Sequence, residues 1–117
     1  MITNLMVYGV KEDDKKAIYN LTKSPKIMKV SDLKDGTIID VKAIAFFTDI
    51  NEERETETNI VSVMAKTGEV YATNSATFTR EIKDILSIFD NKVDNINIEK
   101  ISGTSKNGRD FVTCALA

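Results

Sequence analysis

From Thr37 onward the chain alternates β-forming runs with turn signals, broken once by a helical stripe, and that order limits the folds open to it most strongly. Asp35-Gly36 is a turn signal, and residues 37–48 after it are rich in Ile, Val, Ala and Phe. The odd positions Ile39, Val41, Ala43, Ala45 and Phe47 are apolar, whereas Ile38, Asp40, Lys42, Ile44, Phe46 and Thr48 are mixed. Alternation therefore predicts one core face and one face that meets water or a ligand. Residues 58–66 form a second run, and the hairpin signal Thr67-Gly68 leads into a short third, residues 69–73. There Val70 and Ala72 share one face, and Glu69, Tyr71 and Thr73 share the other. Asn74 or Ser75 can cap a helix reaching about Asp90, because Phe78, Ile82, Ile85, Leu86 and Phe89 recur at spacings of three and four. Two further strands, residues 95–102 and 110–116, are joined by a loop containing Gly103 and Gly108.

Strand, strand, strand, helix, strand, strand is the element order of an OB-fold barrel. The expected fold is thus mainly β with one or two helices: a five-stranded antiparallel OB-like barrel over residues 35–117 plus an N-terminal extension over residues 1–34. In the extension, an apolar start over residues 5–10 precedes a short helix over residues 13–21, capped by Asp13 or Asp14 and ended by Ser24-Pro25. Its narrow apolar face, Ala17, Ile18 and Leu21, packs on or flanks the barrel.

One domain of 117 residues buries roughly 65% of the surface of its unfolded chain, enough to fold on its own core. The single Cys114 cannot form an intramolecular disulfide and is read as a small buried hydrophobe on the last strand. With no His in the chain, the usual Ser-His-Asp and Cys-His catalytic units are excluded, as is an ordinary zinc site. The glycines match no phosphate-cradling motif. No enzyme activity, cofactor or metal is expected. No apolar run is long enough for a signal peptide or a membrane span, so no membrane partner is expected and the cytoplasm is the expected location.

The net charge of −2 conceals a segregation. Residues 1–34 hold seven Lys (Lys11, Lys15, Lys16, Lys23, Lys26, Lys29, Lys34) against four acids, while residues 49–57 hold five acids and one Arg. Net charge therefore does not decide whether the chain meets nucleic acid. The acidic cluster lacks the ligand pattern of a calcium loop and is read as a solvated rim that repels phosphate. Sequence-tolerant binding of a single strand needs π faces for bases beside cations for phosphates. Strand alternation makes Tyr71 the first stacking candidate and Phe46 the second, with Tyr8 and Tyr19 on the basic N-terminal segment. Lys42 and Lys66 on the strands, and Lys106 and Arg109 in the last loop, are the phosphate candidates. Ordinary core packing competes for each aromatic, and a plain hydrophilic hairpin competes for residues 105–109.

Four stretches resemble a known family, the small single-stranded DNA-binding proteins of tailed phages of Gram-positive bacteria, including phi-29-like phages. They are Ile18-Tyr-Asn-Leu-Thr-Lys-Ser-Pro25, Leu33-Lys-Asp-Gly-Thr-Ile-Ile39, Gly68-Glu-Val-Tyr-Ala-Thr73 and Gly103-Thr-Ser-Lys-Asn-Gly-Arg-Asp-Phe111. They span about Ala17 to the C-terminus, and residues 1–16 fall outside the resemblance. It implies a non-enzymatic protein that coats single-stranded DNA during phage replication in the host cytoplasm, without sequence preference. Tyr71 falls where the family carries an aromatic, and Lys106 and Arg109 fall in its Gly-Thr-Ser-Lys loop. Phage replication proteins are the further partners it implies, and an apolar edge or the N-terminal segment leaves self-association open. The competing expectation is an OB-like protein–protein module, a phage adaptor or host-factor binder, that uses the acidic loop.

Overall fold

The computed structural model describes residues 1–117 and gives the N-terminal segment strands of its own. β1 (Ile2–Tyr8) is followed by α1 (Lys15–Thr22), a two-residue β2 (Met28–Lys29) and a 3-10 turn (Val30–Asp32). Asp14 caps α1, its carboxylate accepting from the Ala17 N–H at 3.1 Å. The main sheet then runs β3 (Ile38–Asn51), β4 (Thr56–Ala65) and β5 (Val70–Thr73), followed by α2 (Ala76–Ile88), β6 (Asn97–Thr104) and β7 (Asp110–Leu116). These five strands and the helix after the third are where alternation and the helical stripe put them. Ser75 caps α2 by accepting from the Phe78 N–H at 3.3 Å, and its hydroxyl and that of Thr77 donate to the Val112 carbonyl, fastening the helix start to β7.

The sheet has seven strands in the order β2-β5-β4-β3-β6-β7, with β1 paired to β3. All pairs are antiparallel except β2 with β5. The result is OB-like in element order but a curled half-barrel in closure. β5 and β7 do not pair, because β2 occupies the edge of β5 and β7 remains an edge. Neither added strand has a readable pattern. β2 is two residues long, and β1 is interrupted between Thr3 and Met6 by an irregularity that holds Asn4 at φ 54.

β3 differs from strict alternation at one point, and the whole core follows from it. Val41 pairs with Ala65 and Ala43 with Met64, so Lys42 is an extra residue, a β-bulge. An inserted residue reverses the facing of everything beyond it. Ile39 and Val41 therefore share the inner core with Ile44, and Phe46 packs on the same side, beneath Phe78, Ile82, Ile85 and Leu86 of α2. Ala43, Ala45 and Phe47 face the opposite side, where Leu21 of α1, Met64 and Val70 complete a second core. The odd positions are apolar as read, but they serve two faces of the sheet. Leu21 is α1's one fully buried side chain, contributing roughly 1.5–3 kcal/mol. The buried Ser62 hydroxyl donates to its carbonyl at 2.7 Å.

Two contacts hold the first part of β3. Before it, the nearly buried Lys100 ammonium donates to Asp35 and to Ser102, each at 2.8 Å, tying the Asp35-Gly36 turn to β6. Hydrogen bonds from Lys100 and then Ser102 hold the Asp35 carboxyl below its ordinary 3.8, so this stabilisation is present above that pH and is lost as pH falls through the folded value. At the bulge, Gly9 sits at φ +87, where an added Cβ would lie 2.3 Å from the Lys42 carbonyl oxygen and 2.6 Å from Val93. Left-handed backbone and lack of room act together there. We expect Gly9→Ala to destabilise the fold by roughly 1–3 kcal/mol, read as a lowered urea midpoint. An unchanged midpoint would show that β1 does not bear on the bulge.

Candidate nucleic-acid interface

Beyond the bulge, an open groove of about 1120 Å³ lies between the inner face of β1, β3 and β4 and the helix α2. Antiparallel partners point to the same side. Tyr8 (opposite Ile44), Met6 (opposite Phe46) and Asn59 (opposite Thr48) therefore project into the groove beside Phe46 and Thr48. From the other wall, Ala76, Thr79, Arg80 and Lys83 form one stripe at helical spacing.

The groove pairs π faces with cations. The half-buried Tyr8 and Phe46 rings meet edge to face at 5.9 Å between centroids with an interplanar angle of 82°. The Lys83 ammonium stands 5.5 Å from the centre of the Phe46 ring, and the exposed Arg80 lies one position N-terminal on the stripe. Amides and hydroxyls fill the space between. Thr48 donates to the Asn59 side-chain oxygen at 2.9 Å, and Asn4, Thr58, Asn74 and Asn91 also line the groove. Its carboxylates are Glu57, which leads into the acidic β3–β4 turn, and Asp84. A concave, mostly uncharged trough with aromatic faces and two adjacent cations can take a flat base and the phosphate attached to it.

The family model for phage single-stranded DNA-binding protein, phi-29 type, matches residues 9–117. The chain belongs to that family. Its ligand is accordingly single-stranded DNA, and the match begins ahead of Ala17, taking in the end of the N-terminal segment. The comparisons with curated proteins and with solved structures find no match.

Within this single-stranded DNA-binding protein the expected site residues fall in several places. Phe46 is in the groove. Tyr71 is half-buried on β5 opposite Val63 and packs against the inner core, outside the groove. Tyr19 is 52% exposed on α1, which covers the opposite face of the sheet. Lys106 and Arg109 are exposed in the β6–β7 turn, where Arg109 N–H donates to the Ser105 hydroxyl, and neither lines the groove. Lys42 and Lys66 line a separate, smaller hollow of about 420 Å³. Sequence reasoning missed Arg80 and Lys83, although their three-residue spacing opposite the Phe78 to Phe89 stripe is visible in the chain. It named Tyr8 only for its basic surroundings, because the pairing that sets Tyr8 beside Phe46 depends on the β1 register.

Other reactive chemistry is sparse. No three His, Cys, Asp or Glu side chains come together as a metal site, so the five acids of residues 49–57 do not converge. No helix is long and apolar enough to cross a membrane. Cys114 is buried on β7 within the inner core, and burial first, then the Glu81 carboxylate, pushes its thiol from the ordinary 9.0 up to about 12. A raised value stabilises the fold below pH 9.0, and that contribution is lost as pH rises toward about 12, because the unfolded chain releases the proton first. Wild type should therefore lose more stability between pH 8 and about pH 10 than Cys114→Ala, compared by urea titration at each pH. Parallel pH profiles would contradict this.

Proposed function

We propose that the protein coats exposed single strands during phage DNA replication inside the host cell, without strong sequence preference, and acts by binding rather than catalysis. The observation that carries this reading is the Phe46 ring, set edge to face against Tyr8, with Lys83 over its own face, inside a groove open to solvent. Every base offers a π face, so a stacking platform accepts any of them, and Lys83 and Arg80 meet the phosphate that each base brings. A coating protein needs this tolerance. Lys106 and Arg109, exposed on the β6–β7 turn outside the groove, add phosphate contacts to a longer strand.

The alternative of an acidic loop that docks a protein partner draws support from charge alone. Residues 52–55 are exposed, and Glu57 continues them into the groove. That placement supports a boundary for the DNA instead, since carboxylates at one end of the trough turn a phosphate chain toward the other.

Phe46→Leu keeps apolar bulk against the core and removes the π face. Fluorescence anisotropy with labelled oligonucleotides should show binding weakened by about 1–3 kcal/mol, with thymidine and adenosine strands losing a similar factor. Arg80→Ala with Lys83→Ala should lower the slope of log affinity against log salt by about 1.4, since each phosphate neutralised on a single strand contributes about 0.7. Wild-type binding by Phe46→Leu would sink the groove as the stacking site.

A further inference from the structure

We infer that the bound strand does not end in the aromatic groove: its phosphodiester backbone continues over the bulge of β3 into a seat formed by Lys42, Lys66 and Lys92. This rests on the groove reading above and adds a path and a direction to it.

The seat is the hollow of about 420 Å³ beside the bulge, and it collects cations from three separate elements. Lys42 is the inserted residue of β3, Lys66 follows β4, and Lys92 lies between α2 and β6. All three are exposed. None takes part in either ion pair of the molecule, which join the N-terminus to Asp49 and Lys100 to Asp35. Asp94 is the one carboxylate that lines the hollow. What sets this place apart is their convergence: three ammonium groups and a single carboxylate around one depression give it a net positive charge that attracts an anion.

The backbone around the seat is set in advance. The Lys66 N–H donates to the Asp40 carbonyl at 2.9 Å, fixing where β4 leaves the sheet. Asp90, Asn91 and Asn95 hold positive φ in the loop that carries Lys92, residue types that accept this conformation. The N–H groups of Phe89, Asp90 and Asn91 take up the Ile85, Ser87 and Leu86 carbonyls, so the end of α2 does not aim free carbonyls into the hollow. Gly9, required at the bulge, keeps one wall low.

Continuity comes from Asn91, which lines both the hollow and the groove. Along β3 the order is Lys42, then Phe46 and Thr48, then the acidic turn, a span of about 20 Å from Lys42 to Thr48 at strand spacing. The backbone of a strand whose base stacks at Phe46 therefore meets repulsion at one end and three lysines at the other.

The test compares Lys42→Ala/Lys66→Ala/Lys92→Ala with a control that removes equal charge from the opposite face, Lys15→Ala/Lys16→Ala/Lys23→Ala. Both are titrated by anisotropy against thymidine strands of about four and about sixteen nucleotides, the ends of the usual range for one OB fold. All six side chains are exposed or only partly covered, so thermal melting should match wild type. With the longer strand, the salt slope of the seat variant should fall by about 2, at about 0.7 per phosphate, while the control stays within about 0.5 of wild type. The short strand should bind the seat variant within about twofold of wild type at moderate salt, because it fills the groove alone. Equal loss of slope in seat and control variants overturns the inference, as does a wild-type slope in the seat variant. Phe46→Leu separates the two readings: if it weakens binding while the seat variant keeps its slope, only the extended path is wrong.

Discussion

One inserted residue organises this molecule. At Lys42 the pairing of β3 with β4 slips by one position, and the apolar residues of a single 14-residue strand are divided between two sides of the sheet. The first part of β3 pairs with β6 and closes over the inner core, and the second pairs with β1 and presents Ala43, Ala45 and Phe47 to α1. Without the slip, Phe46 would point to the α1 side and Phe47 to the α2 side. The bulge thus makes the two-layer packing and aims the aromatic ring at the helix wall. It also leaves Lys42 with no place in either core, which puts its charge on the surface beside Lys66 and Lys92.

The N-terminal segment matters for the same reason. A strand that has turned its second half away from β6 leaves an unpaired edge, and unpaired backbone groups are costly unless something meets them. β1 meets them, bringing Tyr8 against Phe46. β2 does the like at the edge of β5, which is why the sheet stays a half-barrel instead of closing through β5 and β7. An open barrel leaves the space between the β3–β4 end and α2 unfilled, and that space is the groove. The groove is open to solvent because the barrel is not closed.

The charge pattern acquires a geometry in three dimensions. The chain carries more acid than base, yet five of its 18 acids gather at the β3–β4 turn, while Arg80 and Lys83 line the aromatic groove and Lys42, Lys66 and Lys92 the hollow beyond it. Local potential, not net charge, governs how such a surface meets a polyanion. The carboxylates at one end and the lysines at the other give the surface a polarity that the net charge conceals.

By itself the sequence determined the elements. Hydrophobic period, turn dipeptides and capping residues are local properties, and they located five strands, two helices and the stripe of α2 to within a few residues. It also determined the family, through stretches such as Gly103 to Phe111 that survive as chain order, and it excluded histidine chemistry outright. Only the tertiary structure decided which aromatics line the groove, Tyr8 and Phe46 and not Tyr71. Tyr71 satisfied alternation but packs on the inner core, because the residues sharing its face, Val63 across the pair among them, are buried beneath α2. In the chain Arg80 and Lys83 show only a helical spacing and Tyr8 only basic surroundings, because they come from β1 and α2 and share the groove with Phe46 only through register and helix packing. A bulge is invisible to period-two reading, as it changes the facing of residues without changing their types. For that reason the odd apolar positions of β3 were legible in the chain as core. Ile44, read on the face that meets water or a ligand, is fully buried in the inner core, and the side of the sheet on which each residue lies was not legible.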